Sequence, residues 1–566
     1  MQERSELERD KLLIVSDFNA DILAGLLAND TNAPAVAASS AGFRQVTSAL
    51  LNDDPGLWRN KKAALIWVRP EAISEVFAKA KLMQPVDHSD ALREMDTFCD
   101  AIIAASSRVP TTLVATLHLP EEERGYGALD MQAGLGVRSL LARMNQRLAE
   151  RLNATKGLFL LDATRWFACK NAINHKMWYL AKVPYSNDVF KAAIGDLKAA
   201  LRAVRGQTRK VVICDLDDTL WGGIVGDVGW ENLRLGGHDP VGEALVDFQR
   251  ELRALTQRGI ILGIVSKNTE SVALEAIEKH PEMVLRQSDF AGWRINWNDK
   301  AQNIADLMKE LNLGLDSAVF LDDNPVERAR VAEALPELLV PDLPSDKMLY
   351  VSALRRLDCF DSAAVSNEDR NRAAYYSAER ERRTALEGAD KVASLDDWLL
   401  TLQIKVQAEP INDVNRKRAG QLFNKTNQLN LTTRRMTENE LESWADAGNR
   451  VLLTFRVSDK FGEAGLTGIA GVELVGDEAL VTDYVLSCRV MGKRVEEAIV
   501  HQLTESARSL GAKKLKAIYK PTAKNQPCLE FWRNSGFEYD NDNTFVWDLD
   551  KAYPKPAAIE LIVSKN

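Results

Sequence analysis

Residues Val211 to Gly223 read VVICDLDDTLWGG, and the rest of the chain is organised around this stretch. Val211, Val212, Ile213 and Cys214 are apolar without alternation, the pattern of a strand buried on both faces of a parallel sheet. The run then turns acidic at Asp215, Asp217 and Asp218, followed by Thr219. Carboxylates at a strand's C-terminal end cost folding energy unless something pairs with them. In open α/β sheets ligands bind at that edge. Clustered carboxylate oxygens suit a hard cation such as Mg²⁺, which keeps several waters and meets substrate phosphate. Taken alone, the same residues also read as an acidic turn.

Downstream, a helical pattern over Val241–Arg258 places Ala244, Leu245, Phe248, Leu252 and Leu255 at helical spacing, with Gly259 to stop it. Ile260–Val265 is a second buried-strand run, ending in Ser266-Lys267-Asn268. A hydroxyl at a strand end before a helix start is a natural phosphate cradle, because the orphan N–H groups point at the anion. Lys300 precedes a helix beginning near Ala301, with Lys267 as a competitor for the same cationic role. Ala318–Leu321 is a strand ending in Asp322-Asp323-Asn324-Pro325. The segment from Asp215 to Gly229 is short and glycine-rich, too short for an inserted domain.

These four motifs, in order across one βαβ region, resemble the haloacid dehalogenase (HAD) superfamily of phosphoryl-transfer enzymes. The resemblance implies Asp215 as nucleophile, Asp217 as general acid and then base, and Thr219 as the loop-orienting residue. Ser266, with Lys267 and Asn268 beside it, would bind phosphate, and Lys300 would neutralise charge. Mg²⁺ would lie between Asp215, Asp322 and Asp323, with the Asp217 backbone carbonyl. At finer grain, Asp-Leu-Asp-Asp-Thr-Leu-Trp-Gly-Gly, Ser-Lys-Asn, Asn296-Trp297-Asn298-Asp299-Lys300 and Leu-Asp-Asp-Asn-Pro-Val-Glu-Arg look like the FkbH-like subfamily. Asp218 is commonly Asn there. That resemblance implies loading of a glyceryl unit from D-1,3-bisphosphoglycerate onto an acyl carrier protein, in polyketide or related biosynthesis. A plain Mg²⁺-dependent phosphatase on a phosphorylated sugar or small acid is the alternative, and a non-catalytic scaffold a second.

Before about residue 200, strand patterns at Leu12–Val15, Ala35–Ala38, Ala64–Val68, Leu113–Leu117 and Leu158–Leu161 alternate with helical ones, implying a parallel sheet. The arrangement loosely resembles the SGNH hydrolase fold. Ser16 stands where that family places its nucleophile, but the usual companion blocks are absent, so a degenerate domain is expected.

After a charged run over 367–386, expected to be a bridging helix, new globular material begins near Leu395. The amide-rich stretch Gln421–Arg435, including Asn424-Lys425-Thr426-Asn427-Gln428, also resembles the FkbH-like family. From Val451 onward, strands and helices follow in an order similar to the GNAT acyltransferase fold. In that family the loop before the central helix binds coenzyme A pyrophosphate. Here the loop holds Arg489, Gly492, Lys493 and Arg494, with Arg494 where a small residue is usual, so a single phosphate of a phosphopantetheine arm is the alternative occupant. Cys214, Cys488 and Cys528 are candidates for an acyl relay, against a default reading as structural cysteines.

The expected fold is therefore α/β in three domains. These are a flavodoxin/SGNH-like parallel sheet over 1–200, a HAD Rossmann-like sheet over 205–355, and a linker with a GNAT-like α+β domain over 365–566. At 566 residues the chain has room for about three to four domains. A net charge of −9 argues against non-specific nucleic-acid binding. Six scattered cysteines without a CxxC pair suggest neither a zinc site nor a disulfide framework. No apolar signal region opens the sequence and no run of about 18 apolar residues occurs, so a cytoplasmic, non-membrane protein is expected. The sequence is silent on oligomeric state.

Overall fold

The computed structural model describes residues 9–51, 55–119, 125–365, 367–372, 375–376, 395–436, 438–445, 447–522, 524–540 and 542–564. The chain divides into two compact units, Met1–Arg202 and Ala203–Asn566.

The first unit holds a five-stranded parallel sheet in the order β2-β1-β3-β4-β5. Its strands are β1 (Asp10–Ser16), β2 (Val36–Ser40), β3 (Ala63–Trp67), β4 (Thr111–Ala115) and β5 (Leu158–Leu161). Unbroken apolar runs build the central strands because helices cover both faces. Side chains of β1 divide accordingly, Leu13 and Val15 into one apolar cluster and Leu12 and Ile14 into the other.

The second unit contains two sheets. One is parallel, with four strands in the order β8-β7-β6-β9: β6 (Val211–Cys214), β7 (Ile261–Ser266), β8 (Phe290–Ile295) and β9 (Ala318–Leu321). Every residue of β6 is buried. Val211 and Ile213 face one core while Val212 and Cys214 face the other, as strand alternation requires. The helix Pro240–Gln257 is capped by Asp239, whose side chain accepts from the Gly242 N–H, and it returns the chain to β7.

The other sheet is mixed, in the order β16-β17-β15-β14-β13-β12-β10-β18, with β11 paired to β14 off this path. Its strands are β10 (Ile404–Pro410), β11 (Leu429–Asn430), β12 (Arg450–Asp459), β13 (Gly462–Val475), β14 (Glu478–Leu486), β15 (Lys514–Ile518), β16 (Glu538–Asp540), β17 (Thr544–Asp548) and β18 (Ile559–Val563). β14 and β15 run parallel, joined by the helix Val495–Ser509. One apolar core runs continuously through both sheets of this unit, from Ile304, Leu307 and Leu311 to Tyr376, Leu399 and Val406. Of the charged run 367–386, Asn367–Arg370 is helical, and residues 373, 374 and 377–386 lie outside the described residues. Among the described residues no helix is long and apolar enough to cross a membrane.

Candidate functional site

The site lies at the carboxyl ends of β6, β7 and β9. Each strand stops where its apolar run meets polar residues, which delivers Asp215, Ser266 and Asp322 to one edge. All three are buried. The Asp215 N–H donates to the Leu321 carbonyl at 2.9 Å, locking the two acidic strand ends together. Lys300 opens the helix Lys300–Glu310, capped by Asp299, whose carboxylate accepts from the Gln302 N–H. Its side chain is 5% exposed and turns inward: Nζ lies 2.6 Å from Oδ2 of Asp322 and 3.2 Å from Oδ2 of Asp215. A lysine at an exposed helix start would have pointed to water, whereas two buried carboxylates hold this one.

Asp215, Asp322 and Asp323 each offer an oxygen within 4.8 Å of the others. Three carboxylates against one lysine leave an excess of negative charge, and Oδ1 of Asp215 is buried without a hydrogen-bond partner. An orphaned buried oxygen within a hard, all-oxygen donor set fits a Mg²⁺ ion. Burial is the main cause of a raised Asp215 carboxyl, which is pushed up to about 7 by desolvation and Asp322 against the opposing pull of Lys300. Burial, then Asp322 and Asp218, raises Asp323 as well. Desolvation lowers Lys300, but Asp215 and Asp322 outweigh it and hold the ammonium above the ordinary lysine value.

Asp217 is held apart from this cluster. Its Oδ1 accepts from the Trp221 indole N–H at 2.8 Å and from the Val225 N–H at 3.1 Å, and its Oδ2 accepts from the Asn268 amide at 2.9 Å. Burial raises its carboxyl above the usual range, which suits a group that gives and takes a proton. Thr219 is fully buried and ties the loop to the β9 end: the Asp323 N–H donates to its Oγ1 at 3.1 Å. Asn268 therefore positions Asp217. Lys267 turns to Glu327, at 2.6 Å, on the helix Pro325–Ala334, and it is Lys300 that reaches the carboxylates.

Two residues with no role in the sequence reading belong to this neighbourhood. Arg328 donates to the carbonyls of Asp322 and Asp323, both at 2.8 Å, and so fixes the acidic turn after β9. It sits in the first turn of a helix that starts two residues after those acids, a position facing back to the strand end, and that spacing was its available signal. Lys347 lies 2.5 Å from Oδ1 of Asp218, a partner 129 residues away that no local pattern announces. Asp218 has φ +57°, a conformation that Asn and Asp tolerate better than most residues. Burial opposes its ionisation, but Lys347 and the Gly223 N–H hold its carboxyl below the usual value.

The remaining candidates lie elsewhere. Cys214 is wholly buried in the core, its thiol driven upward by desolvation. Cys528 is also wholly buried, its thiol pushed up to about 12. Cys488 is half-buried at the start of the short turn Cys488–Val490. Arg489 donates to the Ala464 carbonyl at 3.2 Å and to the Ser487 hydroxyl at 3.3 Å. Lys493 donates to the Tyr375 hydroxyl at 3.4 Å, and Arg494 pairs with Asp396 and Glu497. The Gly492 N–H donates to Oε1 of Glu496 at 2.6 Å. In the first unit, the Ser16 hydroxyl is buried and donates to the Phe18 carbonyl at 2.7 Å, a local turn bond rather than a nucleophile–base pair. Asp17 beside it pairs with Arg69 at 2.7 Å.

No protein-family model and no curated protein matches the chain. Solved structures similar to it include the N-terminal part of the protein BF1531 from Bacteroides fragilis, containing a phosphatase domain complexed with Mg. That structure is 27% identical, with a TM-score of 0.56, over 64% of this chain and 96% of the other. Also similar over a smaller share are a ribosomal-protein-S18-alanine N-acetyltransferase from Escherichia coli and an N-acetyltransferase from Staphylococcus aureus. The first is 12% identical over 25% of this chain and 90% of its own, with a TM-score of 0.19. The second is 14% identical over 25% of this chain and 98% of its own, with a TM-score of 0.21.

Proposed function

We propose that the chain is a Mg²⁺-dependent phosphoryl-transfer enzyme of the haloacid dehalogenase type, with Asp215 as its nucleophile. The observation that carries this reading is the buried set of Asp215, Asp322 and Asp323 around Lys300, with one Asp215 oxygen left without a partner. The similarity to a phosphatase domain complexed with Mg supports the choice of cation.

Asp215, Asp322 and Asp323 would hold Mg²⁺, which supplies charge where an anionic nucleophile must meet an anionic phosphate. A carboxylate oxygen of Asp215 forms the bond to phosphorus as the ester oxygen leaves, and Asp217 gives that oxygen its proton. Water then displaces the phosphoryl group from Asp215 while Asp217 takes the water's proton. Both carboxylates are restored and phosphate is released. Lys300 stays fixed between Asp215 and Asp322 throughout, stabilising the negative charge that gathers there.

The finer reading concerns the substrate and rests on the FkbH-like motifs. The phosphate ester of D-1,3-bisphosphoglycerate is removed at Asp215. The acyl group passes to the phosphopantetheine thiol of an acyl carrier protein: the C–S bond forms as the C–O bond to the acyl phosphate breaks, and inorganic phosphate leaves with the thiol's proton. Intact-protein mass spectrometry tests both levels, on the chain mixed with Mg²⁺, D-1,3-bisphosphoglycerate and holo-carrier protein. A glyceryl adduct on the carrier, absent with Asp215→Asn, supports the loading reading. Phosphate release without an adduct leaves a plain phosphatase. No phosphate release by the unaltered chain overturns the role of Asp215.

A further inference from the structure

We infer that the C-terminal sheet carries an acyl-thioester slot closed by the chain itself: residues 429–431 fill the gap between β14 and β15, and Glu496 fills the anion cradle beside it. β14 and β15 pair only from Glu478 to Val481 against Lys514 to Ala517. β14 then runs on to Leu486 while its parallel neighbour parts from it. Such a gap exposes backbone donors and acceptors on its inner edge, and an extended, amide-bearing chain fits there by adding itself as a strand. The pantetheine arm, with its two amides, is such a chain, and coenzyme A is the ligand that the acyltransferase resemblance implies.

Here the place is taken. β11 pairs antiparallel with β14, Leu429 opposite Leu486 and Asn430 opposite Val485. The Leu431 N–H donates to the Tyr484 carbonyl at 3.1 Å. On the other side, the Lys520 N–H donates to the Leu431 carbonyl at 3.0 Å. The segment is thus bonded to β14 on one side and to the chain leaving β15 on the other. Asn525, fully buried, clasps it: its amide donates to the carbonyls of Asn430 and Lys520, both at 2.9 Å. Its Oδ1 accepts from the Tyr519 hydroxyl at 2.8 Å and the Thr522 N–H at 2.8 Å. The amide-rich run finds its use in the same closure. Asn430 Oδ1 accepts from the Thr433 N–H, and the Thr432 hydroxyl donates to the Thr482 carbonyl.

The cradle is occupied in the same manner. Gly492, at φ +75°, points its N–H at the start of the helix Val495–Ser509, where a pyrophosphate would sit. The Glu496 carboxylate, 7% exposed, accepts that N–H. Its Oε2 is buried without a partner. Glu497 follows in the same turn, and Arg494 is spent on Asp396 and Glu497. With the Gly492 N–H already bonded to Glu496, a pyrophosphate finds that donor taken. A thioester partner is therefore met outside this slot. This inference does not rest on the chemistry of Asp215, and phosphate release is read separately from it.

Two measurements on the full chain test the closure. Titration calorimetry with acetyl-coenzyme A, and separately with pantetheine, is expected to show no saturable heat up to about 1 mM ligand, the weak end of specific binding. Saturable micromolar binding of either compound overturns it, and the two arms show whether the pyrophosphate or the amide arm is recognised. Hydrogen exchange is expected to find the amides of Leu431, Lys520 and Gly492 slow without ligand and unchanged by acetyl-coenzyme A. Their protection also shows that the sample is folded. Fast exchange at these amides, or protection that appears only with ligand, overturns the closure.

Discussion

Lys300 is the charge on which the candidate site balances. It lies between Asp215 and Asp322, nearly sealed from water, and it is the cation the structure places against their carboxylate oxygens. Lys300→Met leaves two buried carboxylates facing each other. Breaking a buried pair in this way costs about 3–5 kcal/mol, because the orphaned charge stays behind. Urea unfolding in EDTA should register that loss, and excess Mg²⁺ should recover much of it, since a divalent ion bound only to the folded chain adds about 2.7 kcal/mol at a hundred times its Kd. Equal stability of the variant in EDTA and in Mg²⁺ would count against the cation site. Asp215→Asn removes the nucleophile while keeping its shape, so phosphate release should fall by at least about a thousandfold with the melting temperature kept or raised. The acids and Lys300 were legible because charge after a buried strand has no cheap structural excuse. Lys347 was not: its tie to Asp218 spans 129 residues.

At the scale of the element, the strands that read clearly are those buried on both faces. Ala318–Leu321 has the bounds expected. Several strands were not read from the sequence. Phe290–Ile295 is interrupted by Gly292 and Arg294, whereas Ile404–Pro410 does alternate, Ile404, Val406 and Ala408 inward and Lys405, Gln407 and Glu409 outward, and was overlooked. Ile559–Val563 is half-exposed at the sheet edge and pairs with Ile404–Ala408 from the far end of the chain. Within the amide-rich run, Asn430 accepts from the Thr433 N–H and Thr432 donates to the Thr482 carbonyl. Glu496 makes the closure measurable. Burial raises its carboxyl from 4.5 to about 7, so the folded chain keeps a proton that the unfolded chain releases. The unfolded state then binds fewer protons, and stability falls as pH rises through that window. Glu496→Gln keeps the acceptor for Gly492 without the buried charge. The variant should match the parent in melting temperature near pH 4.5 and exceed it increasingly up to pH 7, with the gap level above. A gap independent of pH would show that the carboxylate is not held in a buried state.

For the whole molecule, the number of cooperative pieces differs from the number of sheets. Among the described residues three sheets are present, yet the chain divides into two units, because one apolar core serves both sheets after Ala203. The Tyr376 hydroxyl donates to the Leu311 carbonyl at 3.5 Å, and Lys524 pairs with Asp316, so polar contacts join the two sheets as well. Every residue of the carboxylate–lysine site lies between 215 and 347, inside this second unit. Residues 203–566 expressed alone should therefore fold and release phosphate at a rate close to that of the full chain. Residues 203–365 should not. That cut keeps all the site residues but removes the apolar side chains after 365, Tyr376 and Leu399 among them, that complete the shared core. Burying each such side chain is worth about 1.5–3 kcal/mol, and a domain's whole net stability is only about 5–15 kcal/mol. The shorter piece should aggregate or show a non-cooperative melt by circular dichroism, whereas the longer piece melts cooperatively. A soluble, cooperatively melting 203–365 fragment with full phosphatase activity would show instead that the parallel sheet stands as a domain of its own and that the shared core is a docked interface.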